Sequence, residues 1–225
     1  LHDSKGYDSP DIFTKLKTAS LKVKSGEAVY ERDSVLFDKI EYSWPLLAGL
    51  MWIASQKENT LSIIDYGGAL GTTYFQNRLF LKALNELHWS IIEQKHLVEF
   101  GNKYFENESL RFFDDLDSCL AQMHAETILF SGVLQYLQNP YAILKQLLKE
   151  KITYILFDRT LFHETDKPDQ LMIQKVSPAI YDASFPCWFF NLSKFLSFFS
   201  KDYDLIADFP GFQEGKGFIF KKKNS

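Results

Sequence analysis

The stretch "IIDYGGALGTTYF", Ile63–Phe75, decides how the chain is read. Two isoleucines lead to an acid, three glycines follow within six residues, and two threonines and an aromatic close it. This is a buried strand entering a glycine turn and then a helix, the layout of a nucleotide or adenosyl-cofactor site. A phosphate loop requires a Lys-Ser/Thr pair after its last glycine, but Gly71 is followed by Thr72 and Thr73, which excludes it. A dinucleotide turn requires G-x-G-x-x-G. Gly68 and Gly71 fit its second half, while Gly67 falls one place late, and an ionised Asp65 at the strand tip would repel phosphates.

S-adenosylmethionine fits the charges better. It has no phosphate, and its methionine half carries an ammonium and a sulfonium that a strand-end carboxylate would favour. Its usual turn is an acid followed by glycines at the second, fourth and sixth places. Asp65, Gly67 and Gly71 are in place, Gly68 adds a glycine, and Ala69 stands where the middle glycine is usual. A second carboxylate belongs at the tip of the next strand, on the ribose hydroxyls. Glu93 ends "WSIIE" at about the twenty-residue spacing of a βαβ unit, a position that a dinucleotide enzyme also uses. After "LRFFDD", Phe113 would pack on adenine and Asp114 accept from its amino group, although acids here also start turns. Ser131, at the tip of "TILFSG", would line the centre of the site.

Working outward, strand-like and helix-like runs alternate from Leu61 onward. "LSIIDY", "WSIIEQ", "LRFFDD", "TILFSG" and "TYILFDR" read as five strands, with helices between them. The first of these helices spans about Thr72–Leu87. "NPYAILKQLLKE" is another, with Asn139 as cap and Pro140 in the first turn. After the helix "NLSKFLSFFSK", "YDLIADF" and "GFIFKKK" close the chain across a hairpin-length loop. The expected fold is α/β: a doubly wound, Rossmann-like, seven-stranded, mostly parallel sheet. Residues 1–60 lie outside this pattern. "SPDIFTKLKTASLKV" and "SVLFDKIEYSWPLLAGLMWIASQ" read as helices of an N-terminal cap or lid, and 61–225 form the cofactor-binding domain.

Composition bounds the partners. Of 225 residues, 46% are apolar, which excludes a disordered chain; 21 Phe, 11 Tyr and 4 Trp suit a large core or a pocket for flat ligands. The formal charge is −4 and no basic stripe occurs, which argues against nucleic acid. No apolar run reaches the ~18 residues of a membrane span. Cys119 and Cys187 lie apart, as reduced thiols of a cytoplasmic protein would, and no His/Asp cluster indicates a metal. The chain opens with Leu1 and has no signal-peptide layout, so further residues upstream are expected. The oligomeric state stays open.

The sequence resembles a family of class I S-adenosylmethionine-dependent methyltransferases encoded among bacterial surface-polysaccharide genes. The resemblance rests on "GEAVYERDSVLFD", "IIDYGGALGTTYF", "LFSGVLQYLQNPYAIL", "ILFDRTLF" and "SFPCWFF" in that order. It implies the class I fold and S-adenosylmethionine as cofactor. A small-molecule or glycan acceptor is the corresponding expectation.

Catalytic candidates lie near the last parallel strand and the N-terminus. His163 follows that strand, with an ordinary pKa of ~6.5 suited to taking a hydroxyl proton. Asp158 could orient or deprotonate an acceptor, Arg159 could pair with an anion, and Arg32 could meet an anionic acceptor or the cofactor carboxylate. The insertion at 162–190 is about thirty residues long, where roughly two to six are usual. It is rich in aromatics, and Tyr181 and Trp188 could stack on a sugar. Residues 26–44 and 162–188 are expected to meet over the carboxyl edge and form the acceptor pocket, with Arg32 and His163 facing one cavity. Two alternatives remain: a nicotinamide-dependent oxidoreductase on nucleotide sugars, and a non-catalytic cofactor-binding protein.

Overall fold

The computed structural model describes residues 10–175, 184–211 and 215–224. Helix α1 (Pro10–Ser25) leads to a hairpin of β1 (Tyr30–Arg32) and β2 (Val35–Phe37), and α2 (Trp44–Ser55) follows. The hairpin replaces the start of an expected helix. Asp33 and Ser34 both take positive φ, 53° and 68°, the two-residue turn whose twist suits antiparallel strands. The helix begins only at Trp44, with Pro45 in its first turn, where a missing N–H costs nothing.

Alternating strands and helices then build the sheet: β3 (Thr60–Tyr66), α3 (Thr72–Leu81), β4 (Glu86–Ile92), α4 (Lys95–Tyr104), β5 (Leu110–Phe113), α5 (Leu116–Gln122) and β6 (Thr127–Ser131). A 3₁₀ turn at Leu134–Tyr136, α6 (Pro140–Leu147) and β7 (Tyr154–His163) follow. The chain finishes with β8 (Gln170–Lys175), β9 (Ser184–Asn191), α7 (Leu192–Phe199), β10 (Tyr203–Pro210) and β11 (Gly215–Lys222).

The strand order is β10-β11-β7-β6-β3-β4-β5, with β3 to β7 parallel and β11 antiparallel to both its neighbours. This is the expected doubly wound sheet closed by an antiparallel hairpin, not a six-stranded all-parallel dinucleotide sheet. It holds two more strands than expected. The insertion after β7 forms β8 and β9, and β9 pairs with the far end of β7 at Phe162 and His163. Tyr181 lies outside the described residues.

Period-two alternation gives each sheet face a core. Ile63, Leu129 and Leu156 pack on one face under α2, α3 and α4. Ile64, Ile128, Phe130, Ile155 and Phe157 pack on the other, with α5, α6 and α7. Much of the phenylalanine excess sits here. Phe157 stacks on Phe130 at 5.4 Å and meets Phe195 and Phe199 at 5.0 and 5.6 Å. Such pairs contribute roughly 0.5–1.5 kcal/mol each beyond burial. Both cysteines are buried and unbridged, and burial pushes both thiols up to about 11. Among the described residues, no helix is long and apolar enough to cross a membrane.

Candidate active site

The chain leaves β3 toward β4 on one side and reaches β6 on the other, so their carboxyl ends diverge at a topological switch point. Register aligns Tyr66 with Ile92, Ile92 with Phe113, and Ser131 with Asp158 along this edge. A cavity of about 400 Å³ opens here, within the size range of ligand sites. Its floor is Gly67, Gly68 and Ala69, and its sides include Glu93 and Asp114 after β4 and β5, and Ser131 and Arg159. Ile12, Phe13 and Leu16 of α1 line it as well.

The glycine turn is shaped by backbone chirality. Gly67 has φ 71°, and a Cβ there would overlap Val133 at 2.3 Å, so no other residue fits. Ala69 adopts φ 52°, which explains why glycine is usual at this place: the left-handed conformation costs an L-residue ~1–2 kcal/mol. The Ala69 N–H donates to Glu93 Oε1 at 3.2 Å, and the Gln94 N–H to Oε2 at 2.8 Å. A carboxylate has about four acceptor positions, so Glu93 keeps capacity for a ligand's hydroxyls. Burial raises its pKa, and the two backbone donors oppose that.

The other sequence candidates divide. Gly67, Gly68, Glu93, Asp114 and Ser131 share the cavity wall. Asp65 does not open into it. Its side chain lies under Gly68, where an added Cβ would stand 2.6 Å from the carboxylate. Its Oδ2 accepts from the Trp89 indole at 3.1 Å, while Oδ1 is buried with no partner among the described residues. Burial pushes its pKa up to about 7. Gly71 and Phe113 stand behind the wall: Gly71 is the φ 98° cap of α3, and Phe113 joins the core.

A second cavity of about 250 Å³ adjoins the first, and Thr72, Thr73, Ser131 and Arg159 line both. Arg32, Glu41, Tyr42, Ser43, Trp44 and Asp158 are among its other lining residues. Arg32 pairs with Glu41 at 3.0 Å. Asp158 Oδ2 accepts from Ser131 Oγ at 3.1 Å and Oδ1 from Ser43 Oγ at 3.4 Å, and burial raises its pKa.

Asp158 and Arg159 owe their placement to a bulge. Phe157 pairs with Phe218 and Thr160 with Lys216, so two residues of β7 oppose Gly217 alone. Arg159 takes the left-handed position, φ 54°, usually filled by glycine. Its guanidinium donates to Ser131 O at 3.1 Å and lies 3.8 Å from Asp33. The bulge re-aims consecutive side chains toward the cavities, a common use of bulges beside active sites.

His163 is a correction. It lines neither cavity, so it does not share one with Arg32. The strand continues past the expected tip because it pairs with β9, which carries His163 away; its ring contacts Thr165 and the Pro168 carbonyl. The described part of the insertion packs on the 3₁₀ turn and α1, and not on 26–44 as expected. Tyr136 OH donates to Gln174 at 2.6 Å, and Ile12, Tyr136 and Phe185 pack together. The lining residues from α1, together with Thr72, Thr73 and Tyr136, had no sequence signal beyond ordinary helix and turn chemistry. Glu31 was also missed: it is buried, accepts from Thr72 Oγ1 and the Ser34 N–H, and ties the hairpin to the start of α3. Among the described residues, no group of three His, Cys, Asp or Glu is placed to hold a metal.

No family model and no curated protein matches the sequence. The fold does have counterparts among solved structures. DesVI of Streptomyces venezuelae superposes with a TM-score of 0.55 at 11% identity, over 95% of this chain and 98% of that one. The glycopeptide N-methyltransferase MtfA, complexed with S-adenosylmethionine, gives 0.53 at 10% identity, over 79% and 94%. The N-terminal domain of EvdMO1, crystallised in the presence of S-adenosylhomocysteine and D-fucose, gives 0.52 at 12% identity, over 92% and 97%. The chain shares the class I methyltransferase fold of these proteins.

Proposed function

We propose that the protein is an S-adenosylmethionine-dependent methyltransferase acting on a small molecule or glycan. The observation that carries this reading is the cavity at the switch point, where a glycine turn and the Glu93 carboxylate face the same space. Glu93 would hold the ribose hydroxyls and Asp114 the adenine amino group, with Ile92 and Leu97 against the ring. The backbone of Gly67, Gly68 and Ala69 would lie along the methionine half, and Asp65 would support the turn from below. When bound, S-adenosylmethionine supplies a methyl group already activated by its sulfonium, so alignment and water exclusion do much of the catalytic work. The α1 side chains over the cavity serve that exclusion. Glycopeptide and D-fucose in the names of two fold neighbours support a glycan or small-molecule acceptor. Within this reading the protein works in the cytoplasm on a precursor of a bacterial surface polysaccharide, as the sequence resemblance implies, and not on nucleic acid.

Isothermal titration with S-adenosylhomocysteine, with NADH as comparison, tests the cofactor. Binding of the first and not the second is expected. The reverse would favour a nicotinamide-dependent oxidoreductase. S-adenosylhomocysteine binding without methyl transfer to any acceptor in a sugar and sugar-nucleotide screen would mark a non-catalytic binding protein.

A further inference from the structure

We propose that the second cavity is the acceptor site, that it takes a single neutral pyranose ring stacked on Trp44, and that Asp158 receives the proton of the methylated hydroxyl. This rests on the methyltransferase reading for the transfer step, although the sugar site itself does not.

Three observations converge. The first is position. The two cavities share Thr72, Thr73, Ser131 and Arg159, so the second lies directly beside the first. Asp158 lines the second and is bonded to Ser131.

The second is an exposed aromatic platform. Trp44 lines the cavity yet is 59% exposed, while Trp89 is fully buried. Tyr42 stacks beside Trp44 at 4.7 Å with a tilt of 34°, and Phe80 meets both edge-on at 5.4 and 5.9 Å. Trp44 is therefore held by Tyr42 and Phe80 with apolar ring surface left open, which suits the C–H face of a sugar ring.

The third is the chemistry of the walls. Arg32 and Arg159 are balanced by Glu41 and Asp158, so the cavity has no net charge for a phosphate but many charged groups for hydroxyls. Its volume of about 250 Å³ is below the roughly 300–1,000 Å³ of drug-sized sites, which suits one ring.

Ser43 supports the same assignment. It occupies the N-cap of α2 but makes no capping bond, and its hydroxyl is turned to Asp158 instead. A cap residue that leaves its helix uncapped and orients a cavity carboxylate has a role beyond the helix. Burial raises the Asp158 pKa, which makes it a better proton acceptor once ionised. In the transfer, the acceptor oxygen gains the methyl group, the broken carbon–sulfur bond leaves its electron pair on sulfur, and the acceptor proton passes to Asp158.

The test is saturation-transfer NMR on the full chain with a set of methyl pyranosides, alongside calorimetry with S-adenosylhomocysteine. The wild-type protein is expected to show transfer to ring C–H protons of at least one pyranoside. Trp44→Ala should weaken that binding about tenfold or more, Trp44→Phe should restore most of it, and neither should change S-adenosylhomocysteine affinity more than about twofold. Asp158→Asn should bind the pyranoside while losing about a hundredfold or more in turnover. Wild-type protein that binds S-adenosylhomocysteine but no pyranoside overturns this proposal and leaves the methyltransferase reading intact. Pyranoside binding that depends on Trp44, without S-adenosylhomocysteine binding, supports the sugar site and overturns the methyltransferase reading. Pyranoside binding unchanged in Trp44→Ala, with thermal melting showing a folded variant, refutes the platform.

Discussion

The indole N–H of Trp89 donates to Oδ2 of Asp65 at 3.1 Å, with both residues buried beneath the glycine turn. The acid that the sequence places at the strand tip is thus part of the turn's foundation. Trp89→Phe removes the Trp89 donor to this carboxylate and some ring volume. A loss of about 2–4 kcal/mol in urea unfolding is expected. A loss below about 0.5 kcal/mol would show that the bond contributes little.

Three buried acids and the half-buried Glu93 give stability a pH dependence. Burial raises Asp65 from 3.8 and Glu31 from 4.5, both to about 7, and raises Glu93 and Asp158 in the same direction. The folded state therefore holds protons that the unfolded chain releases. The stabilisation linked to these groups is complete below their ordinary values and is lost as pH rises through about 7. Urea midpoints should be lower at about pH 8 than at about pH 5, and Glu31→Gln should flatten the difference. A rising profile would contradict the assigned burial.

Glu93→Ala removes a charged acceptor facing the larger cavity. Calorimetry should show S-adenosylhomocysteine affinity reduced roughly tenfold to a hundredfold, the equivalent of ~1.5–3 kcal/mol. Asp65→Ala should instead lower the unfolding midpoint first, because its carboxylate does not reach the cavity. Unchanged affinity in Glu93→Ala would displace the ribose site.

Ala69→Gly relieves a left-handed alanine. Such a substitution elsewhere costs about 0.5–1 kcal/mol, whereas here it should be neutral or stabilise by up to ~1 kcal/mol. Thermal melting checks it; a fall typical of an ordinary site would show that Ala69 is unstrained.

His163→Ala should leave turnover within about twofold of wild type, since the ring lies outside both cavities, whereas general-base removal typically costs ~10²–10⁴. A loss of that size would return His163 to the catalytic site.

Much of the architecture was legible because it is local. Alternation in "LSIIDY" and "TILFSG", the glycine turn after Asp65 and the Asn139-Pro140 helix start are set by neighbouring residues, and they suffice for the doubly wound sheet. Glu93 was legible for the same reason, as the end of a strand one βαβ unit after the turn. The hairpin at Asp33 and Ser34 was not, because neither residue advertises a positive φ as glycine does.

Which space each polar group faces is set by packing between distant segments. Asp65 is at a strand tip in sequence and under a loop in space, because Trp89 on the adjacent strand captures it. Asp158 and Arg159 reach the cavities through a bulge that exists only against β11, some sixty residues onward, and His163 is carried away by pairing with β9. Tyr42 and Trp44 become a cavity mouth only because Phe80 of α3 backs them. A sequence fixes short-range periodicity and turn chemistry, but bulges, register and shared walls arise from pairing between distant segments, and the candidate acceptor site is built almost entirely from those.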